Sequence, residues 1–437
     1  MTQVRSIALG GGIAGLSAAY RAKSLGHRLP VYEASATPGG LLDSFQLENE
    51  TGIWTFDNGV HLSFATEKEV REVFDRVPYL SHEARSLNWD SIRWLPHPVQ
   101  NNMFALPVNE KVDLIADLAA HLASAPDEHS VRTYKDWLVH QYGNKIAERW
   151  PLTYTRKYWT VDAKDLGIAW IGSRMRRSDL REVLLGAMME NPPSTYYIST
   201  MRYPEHGGYR GFIAPLLTEI ELHSNHRAIA IDNVRKSITF DNGVTTCYDR
   251  LISSIPLPLL IELMSEVPDA VRAAASTLFA SKIDLISVGV RRPSVSPSLW
   301  FYIYDPDILA ARVYSPSWKA PGNAPEGHSS LQFEIYSSVR NPQKASVPVM
   351  TENCIAALET MGLAKRDEVI LVHHKHLAYG NVVFDIGMED RRDLVRDWVL
   401  TQDVLLAGRF GEWEYFWSNQ SFMSGRKAAE AAFGSAQ

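Results

Sequence analysis

A chain of 437 residues is longer than one simple hydrophobic core organises, so two intertwined domains are expected. Hydrophobic residues at 45% and charged residues at 22% describe an ordinary globular protein, and a net charge of −6 gives no electrostatic case for nucleic acid as a partner. The two cysteines, Cys247 and Cys354, lie far apart and exclude a disulfide framework or a cysteine zinc site, and no apolar run is long enough to span a bilayer, so the expectation is a cytoplasmic enzyme without a metal.

The first forty residues organise the rest. Ser6 to Leu9 is an apolar run that feeds into Gly10-Gly11-Gly12-Ile13-Ala14-Gly15; an amphipathic segment from Leu16 to Ser24 follows, and a second apolar run ends at Glu33. This is a βαβ unit with the G-x-G-x-x-G turn at its first strand-to-helix junction. Gly10 allows the tight turn, Gly12 lets a pyrophosphate reach the backbone, and Gly15 lets the helix pack closely on its strand. The N–H groups and dipole of the helix start, around Ile13 and Ala14, attract the phosphates. Glu33 stands where a carboxylate accepts hydrogen bonds from an unphosphorylated adenosine ribose, as in FAD or NAD. A second pair, Gly39-Gly40, follows at once between Ala34 and Leu41. That pair resembles the flavoprotein amine oxidase superfamily, in which it passes beside the FAD pyrophosphate, and it makes FAD the expected dinucleotide.

Further along, Leu47 to Trp54 reads as a hairpin turning at Asn49-Glu50-Thr51-Gly52. Asp57-Asn58-Gly59-Val60-His61 follows; in the same superfamily a matching loop runs along the flavin ring, which places Gly59 and His61 at the active site. Pro96-His97-Pro98-Val99-Gln100-Asn101-Asn102 is held extended by its prolines and carries amides suited to a polar ligand. Helical spacing covers Asn109 to Ser124 and Thr133 to Arg149. The run from Tyr154 to Arg177 mixes aromatic rings with Arg156, Lys157, Arg174, Arg176 and Arg177, either as a solvated face or as a lining for an anionic ligand. Phe212 to Leu222 is expected to be helical. Ala228 to Ile231, Ser237 to Phe240 and Val244 to Tyr248 form a β-meander around Asn242-Gly243, and Asp249 to Pro256 returns to the parallel sheet.

Asp284 to Arg291 and Leu299 to Tyr304 read as strands paired with Ala311 to Tyr314 and Leu331 to Tyr336. Val369 to His376 is another strand; His373, His374 and His376 on it are assigned a structural role. The chain closes with the strand Val404 to Arg409, a polar aromatic loop, and the helix Ser421 to Phe433, so that Gly408, Arg409 and Ser421 bring a second helix start to the dinucleotide. The fold expected is therefore α/β. A split Rossmann-like FAD-binding domain occupies 1–87, 203–280 and 398–437, a mostly helical substrate domain 88–202, and an antiparallel mixed sheet 281–397.

The closing loop, Gly408-Arg409-Phe410-Gly411-Glu412-Trp413-Glu414-Tyr415 through Asn419-Gln420-Ser421-Phe422-Met423, resembles the C-terminal signature of UDP-galactopyranose mutases of the eukaryotic type. The Pro-x-Pro-x-Gln-Asn-Asn stretch at 96–102, the Trp300-x-Tyr302 strand with Arg312 after it, Tyr379 before a turn, and Arg174 match further motifs of that family. The resemblance implies a flavoenzyme that interconverts pyranose and furanose forms of a nucleotide sugar, UDP-galactose or a relative, for cell-surface polysaccharide. In the family the reduced flavin attacks the anomeric carbon through N5, with no net redox change. FAD must first be reduced, by a nicotinamide donor or another reductant. On this reading His61, Arg312 and Arg409 are catalytic, and Gln100, Trp159, Arg174, Trp300, Tyr302, Tyr379, Tyr415 and Asn419 hold substrate, Asn419 also touching FAD. His97 and Val99 replace aromatic residues of the family's uracil pocket and Thr155 an asparagine there, which leaves the base open, and a further family asparagine falls near Ile198 or Ser199, which leaves the sugar open. The competing expectation is an FAD-dependent oxidoreductase of the amine oxidase or protoporphyrinogen oxidase kind, which shares the domain but has no use for two converging arginines.

Overall fold

The computed structural model describes residues 4–124, 127–172, 175, 179–190, 192 and 200–434. Its centre is a five-stranded, all-parallel sheet in the order Val404–Leu406, Arg250–Ser253, Ser6–Leu9, Val31–Tyr32, Leu222–His223. The strands are short and apolar because helices cover the sheet, as parallel sheets require. The helix Ile13–Ser24 lies along the helix Ser418–Phe433. Their backbones meet at Gly425, where a Cβ would stand 2.0 Å from the Ala14 carbonyl oxygen, and Ser17 Oγ donates to the Phe422 carbonyl at 2.8 Å. The two ends of the chain thus build one surface, and both helix starts face the same space.

A seven-stranded sheet stands beyond it, in the order Val369–Leu377, Lys282–Val290, Ser329–Ser337, Arg312–Tyr314, Trp300–Ile303, Ser86–Asp90, Arg93–Pro96. Its last two members precede the helical segment in sequence. Ser86–Asp90 pairs in parallel with Trp300–Ile303, so the strands near residue 88 join the sheet formed by 281–397 rather than the helical part assigned to 88–202. The helical part proper contains Val108–Ala123, Tyr134–Arg149, Pro151–Tyr158 and Leu180–Met188. Thr133 starts the second of these with a reciprocal cap: its hydroxyl accepts from the Asp136 N–H, and the Asp136 carboxylate accepts from the Thr133 N–H at 2.9 Å. The hairpin Ser44–Asn49 and Gly52–Asp57 and the three-stranded meander Ala228–Asp232, Ser237–Phe240, Thr245–Cys247 form as the sequence leads one to expect. The stretch Phe212 to Leu222 does not form one helix: a single turn, Ala214–Leu217, gives way to the strand Leu222–His223 on the edge of the parallel sheet. Pairing with Val31–Tyr32 outweighs the weak helical period there.

Candidate active site

A cavity of about 1040 Å³ runs from the first glycine turn, across the Asp57–His61 loop, to an aromatic chamber between the helical segment and the seven-stranded sheet. The glycine end is backbone. Gly10 has φ +102° and Gly40 φ +58°; a Cβ on Gly15 would lie 2.0 Å from the Gly10 carbonyl oxygen, whereas one on Gly12 would meet no atom within 4 Å. Gly12 therefore leaves open the volume that a pyrophosphate needs, beside the unpaired N–H groups of a helix start. The second glycine pair packs on this turn: the Gly39 N–H donates to the Gly11 carbonyl at 2.8 Å. Glu33 is fixed by its own backbone surroundings, accepting from the Gly11 N–H at 2.6 Å and the Ser35 N–H at 2.8 Å. Gly408 closes the cradle with φ +78°, its N–H bonded to Ser424 Oγ at 2.7 Å. Ile13, Ala14, Ala34, Leu41, Gly59, Arg409 and Ser421 line the same wall. The wall fits a dinucleotide.

Two cofactor-side expectations fall elsewhere. Gly15 serves packing and does not line the cavity. Asn419 is turned away: it is 8% exposed and its amide donates to Glu67 Oε1 at 2.7 Å, tying the last helix to the start of Lys68–Phe74. A short amide in the first turn of a helix takes the acceptor its face presents, and here that acceptor is a carboxylate 352 residues away.

At the chamber end, Gln100, Trp159, Trp300, Tyr302, Tyr379 and Tyr415 all line the cavity. Arg174 lies outside the described residues, as do Arg176 and Arg177. The basic aromatic run divides according to helical period. Tyr154 and Tyr158, four apart, face the chamber and stack on each other at 5.4 Å, while Arg156 pairs with Asp162 on the surface at 2.7 Å and Lys157 donates to the Ile303 and Asp305 carbonyls. Of the three amides after Pro98, Asn102 bonds back to the Pro98 carbonyl; Asn101 and Gln100 both line the cavity, Asn101 donating to Glu182 and Gln100 lying beside the Tyr142 hydroxyl. Val99 is buried in the core, and the His97 ring lies against Tyr302 in a tilted contact, centroids 4.7 Å apart. Burial holds His97 neutral, with its pKa pushed down to about 4.

Arg227, Arg312 and Arg409 line the cavity, and the last two are held in different ways. Arg409 Nε donates to the Phe416 carbonyl at 2.7 Å, and Nη1 donates to the Gly380 carbonyl and Asn381 Oδ1 at 3.1 and 3.2 Å. No carboxylate among the described residues pairs with it. Arg312 Nε donates to Glu334 Oε2 at 2.7 Å, and Nη2 to the Tyr336 hydroxyl at 3.1 Å. Burial would raise the Glu334 carboxyl, but Arg312 and its hydrogen bonds outweigh that and keep it below the ordinary carboxylate range. Burial also raises the Tyr302 and Tyr415 phenols, so both are neutral donors at the cavity wall. His61 stacks on Tyr209 at 5.2 Å; burial lowers its pKa to about 4, against the attraction of Asp57, and its Nε2 has no hydrogen-bond partner among the described residues.

The sequence reading missed Glu334, Tyr336, Tyr304 and Lys319. Lys319 and Asp57 form a wholly buried ion pair at 2.6 Å, with the ammonium 4.0 Å from the Tyr314 ring centre and 4.5 Å from that of Tyr203. Only cross-strand register shows Glu334 opposite Arg312. The available hint was a glutamate at the centre of an otherwise uncharged run, Leu331 to Tyr336. Of the three strand histidines, His374 Nε2 and His376 Nδ1 both meet Asp284 Oδ1, at 2.8 and 3.0 Å, His376 also lining the cavity, and His373 packs against Phe45.

Residues 9–77 match the family described as an NAD(P)-binding Rossmann-like domain. A crystal structure of reduced UDP-galactopyranose mutase superposes with a TM-score of 0.92 at 26% identity, covering 100% of this chain and 96% of that one. A putative protoporphyrinogen oxidase from Exiguobacterium sp. 255-15 gives 0.74 at 17% identity, with 99% of each chain covered. Putrescine oxidase bound to putrescine gives 0.65 at 13% identity, covering 98% of this chain and 99% of that one. The last two share the fold; the first is similar over the whole chain, substrate side included. Among the described residues no helix is long and apolar enough to cross a membrane.

Proposed function

We propose that this chain is an FAD-dependent mutase that interconverts the pyranose and furanose forms of a nucleoside-diphosphate sugar, with UDP-galactose the leading substrate. One observation carries the reading: Arg409, in the helical turn Gly408–Gly411 and free of any carboxylate partner among the described residues, and Arg312, on the seven-stranded sheet, both reach a cavity that begins at a dinucleotide cradle and ends in a chamber of neutral phenols. Reduced FAD, held by Gly12, Glu33, Gly39, Gly40 and Gly408, would supply nucleophilic catalysis at the anomeric carbon. The electrons come from a nicotinamide donor or another reductant in the cytoplasm.

The protein's own part is positioning and charge. Breaking the bond from the anomeric carbon to the diphosphate leaves negative charge on the departing oxygen. Arg409 is built to take it: its guanidinium is anchored by two carbonyls and one amide, which orient the group without neutralising it. Arg312 contributes directed N–H donors with less net charge, because Glu334 balances it. Tyr302, Tyr379 and Tyr415 add neutral hydrogen bonds. His61, uncharged near pH 7, offers a ring nitrogen to a sugar hydroxyl without competing for the phosphates. The rings of Trp159, Tyr158 and Trp300 exclude the water that would hydrolyse an activated sugar.

The test is anaerobic incubation of dithionite-reduced protein with UDP-galactofuranose and other nucleotide furanoses, read by chromatography for the pyranose. The expected result is turnover that requires reduced flavin and falls about 100-fold or more in Arg409→Ala with FAD still bound, the scale of removing one charge-stabilising donor. No turnover on any nucleotide sugar, together with oxygen consumption on amines, would replace the mutase by an oxidase.

A further inference from the structure

Glu334 is 0% exposed and stands in the strand Ser329–Ser337, directly opposite Arg312 in register. Its two oxygens serve different parts of the molecule. Oε2 accepts from Arg312 Nε and from the Tyr336 hydroxyl, each at 2.7 Å. Oε1 accepts from the Val60 N–H, also at 2.7 Å. The loop is drawn so tightly onto this carboxylate that a Cβ at position 59 would lie 3.0 Å from Oε1, and Gly59 adopts φ +97° there. Lys319 holds the other side of the loop, bonding Asp57 at 2.6 Å and reaching the His61 carbonyl at 3.4 Å. Arg312, at the other oxygen, lines the cavity, and its Nη1 bonds nothing among the described residues.

We propose that Glu334 is a positioning residue that transmits anion occupancy at Arg312 to the Gly59–Val60–His61 segment. The proposal deepens the function above and depends on it only for the identity of the anion, a nucleoside diphosphate. The direction follows from hydrogen-bond economy. A phosphate on the open edge of Arg312 draws the guanidinium charge toward itself and weakens its bond to Glu334. A buried carboxylate that loses part of one partner leans harder on those that remain, the Tyr336 hydroxyl and the Val60 N–H. Substrate binding therefore tightens the loop that carries His61, and the site is completed only when the phosphates are seated. The linkage also explains why a cavity built for an anion keeps a buried carboxylate beside Arg312, one of the arginines that line it.

Hydrogen exchange of the peptide containing Val60, measured by mass spectrometry on the FAD-loaded protein with UDP or inorganic pyrophosphate, tests this, with calorimetry reporting binding. Either anion, once bound, should slow wild-type exchange at Val60 several-fold. Glu334→Gln, which keeps the shape but offers a neutral acceptor, should exchange about tenfold faster without ligand, the difference between a charged and a neutral hydrogen bond. It should still bind the anion, no more weakly than wild type, yet show no further slowing. Tyr336→Phe removes a competing donor and should slow Val60 exchange, the opposite of what general loosening would do. A wild-type segment that ignores bound anion, a Glu334→Gln protein that responds like wild type, or failure of both anions to bind would overturn the proposal. Binding of pyrophosphate but not UDP would remove the nucleotide-sugar reading while the pyrophosphate response still decides this one.

Discussion

The cavity has two ends made from different material. At the glycine end the ligand surface is backbone: open N–H groups, positive-φ turns, and a single carboxylate, Glu33, fixed by the N–H groups of Gly11 in the turn and of Ser35 two residues on. At the chamber end it is side chain, held by pairs that cross the molecule: Arg312 with Glu334, Lys319 with Asp57, Arg409 with Asn381. The first kind of surface is rigid because covalent geometry makes it so. The second is rigid only while every partner is present, because a buried charge left alone costs more than the pair contributes.

The largest expected effect is therefore at the chamber side. Lys319→Met should leave Asp57 ionised and unpaired in a wholly buried place, costing roughly 3–5 kcal/mol in chemical denaturation, with much of the loss recovered in the Lys319→Met, Asp57→Asn double variant. A merely additive double variant would contradict the pairing. Next comes acid sensitivity. His97 is kept neutral by burial, with a pKa lowered to about 4, while an unfolded histidine takes up its proton near 6.5. The unfolded state then binds more protons between those values, so stability is present above about pH 6.5 and falls as the pH drops toward 4, by up to roughly 3 kcal/mol for this group. His61, lowered to about 4 in the same way, titrates in the same window, so His97→Phe should remove about half of that slope; an unchanged slope would assign it elsewhere. Below this window Asp57 and Glu334, both held under the ordinary carboxylate range, lose their contribution as they protonate.

At the glycine end smaller effects and a cleaner separation are expected. Gly12→Ala places a methyl in open space at an unstrained φ of −75°, so folding stability should stay within about 0.5 kcal/mol while FAD affinity, read by flavin fluorescence, falls about tenfold. Destabilisation without loss of affinity would mean that the wall does not face the dinucleotide. The smallest effect is Asn419→Ala: loss of its bond to Glu67 should cost about 1 kcal/mol and leave FAD content unchanged. Loss of FAD would restore Asn419 to the cofactor site, where its sequence context placed it.

The same division governs how much could be read from the residues alone. The order strand, glycine turn, helix, strand, acid is local, and each glycine answers a steric demand within a few residues, so the dinucleotide cradle at Gly10, Gly12, Glu33, Gly39 and Gly40 is legible in the amino-acid order. The closing Gly408-Arg409 turn and the chamber residues Tyr302, Tyr379 and Tyr415 are legible through a family resemblance rather than through spacing. What the sequence could not contain is which side chains meet. That Glu334 lies opposite Arg312 is a matter of strand register, and that Asn419 turns to Glu67 follows from the packing of the last helix. That Phe212 to Leu222 surrenders its helix is decided by an open edge of the sheet. Local sterics determine backbone shape, and so the cradle was written in the chain itself; long-range pairing determines where charge is balanced, and only the folded structure shows that Arg409 is left uncompensated by any described carboxylate while Arg312 is not.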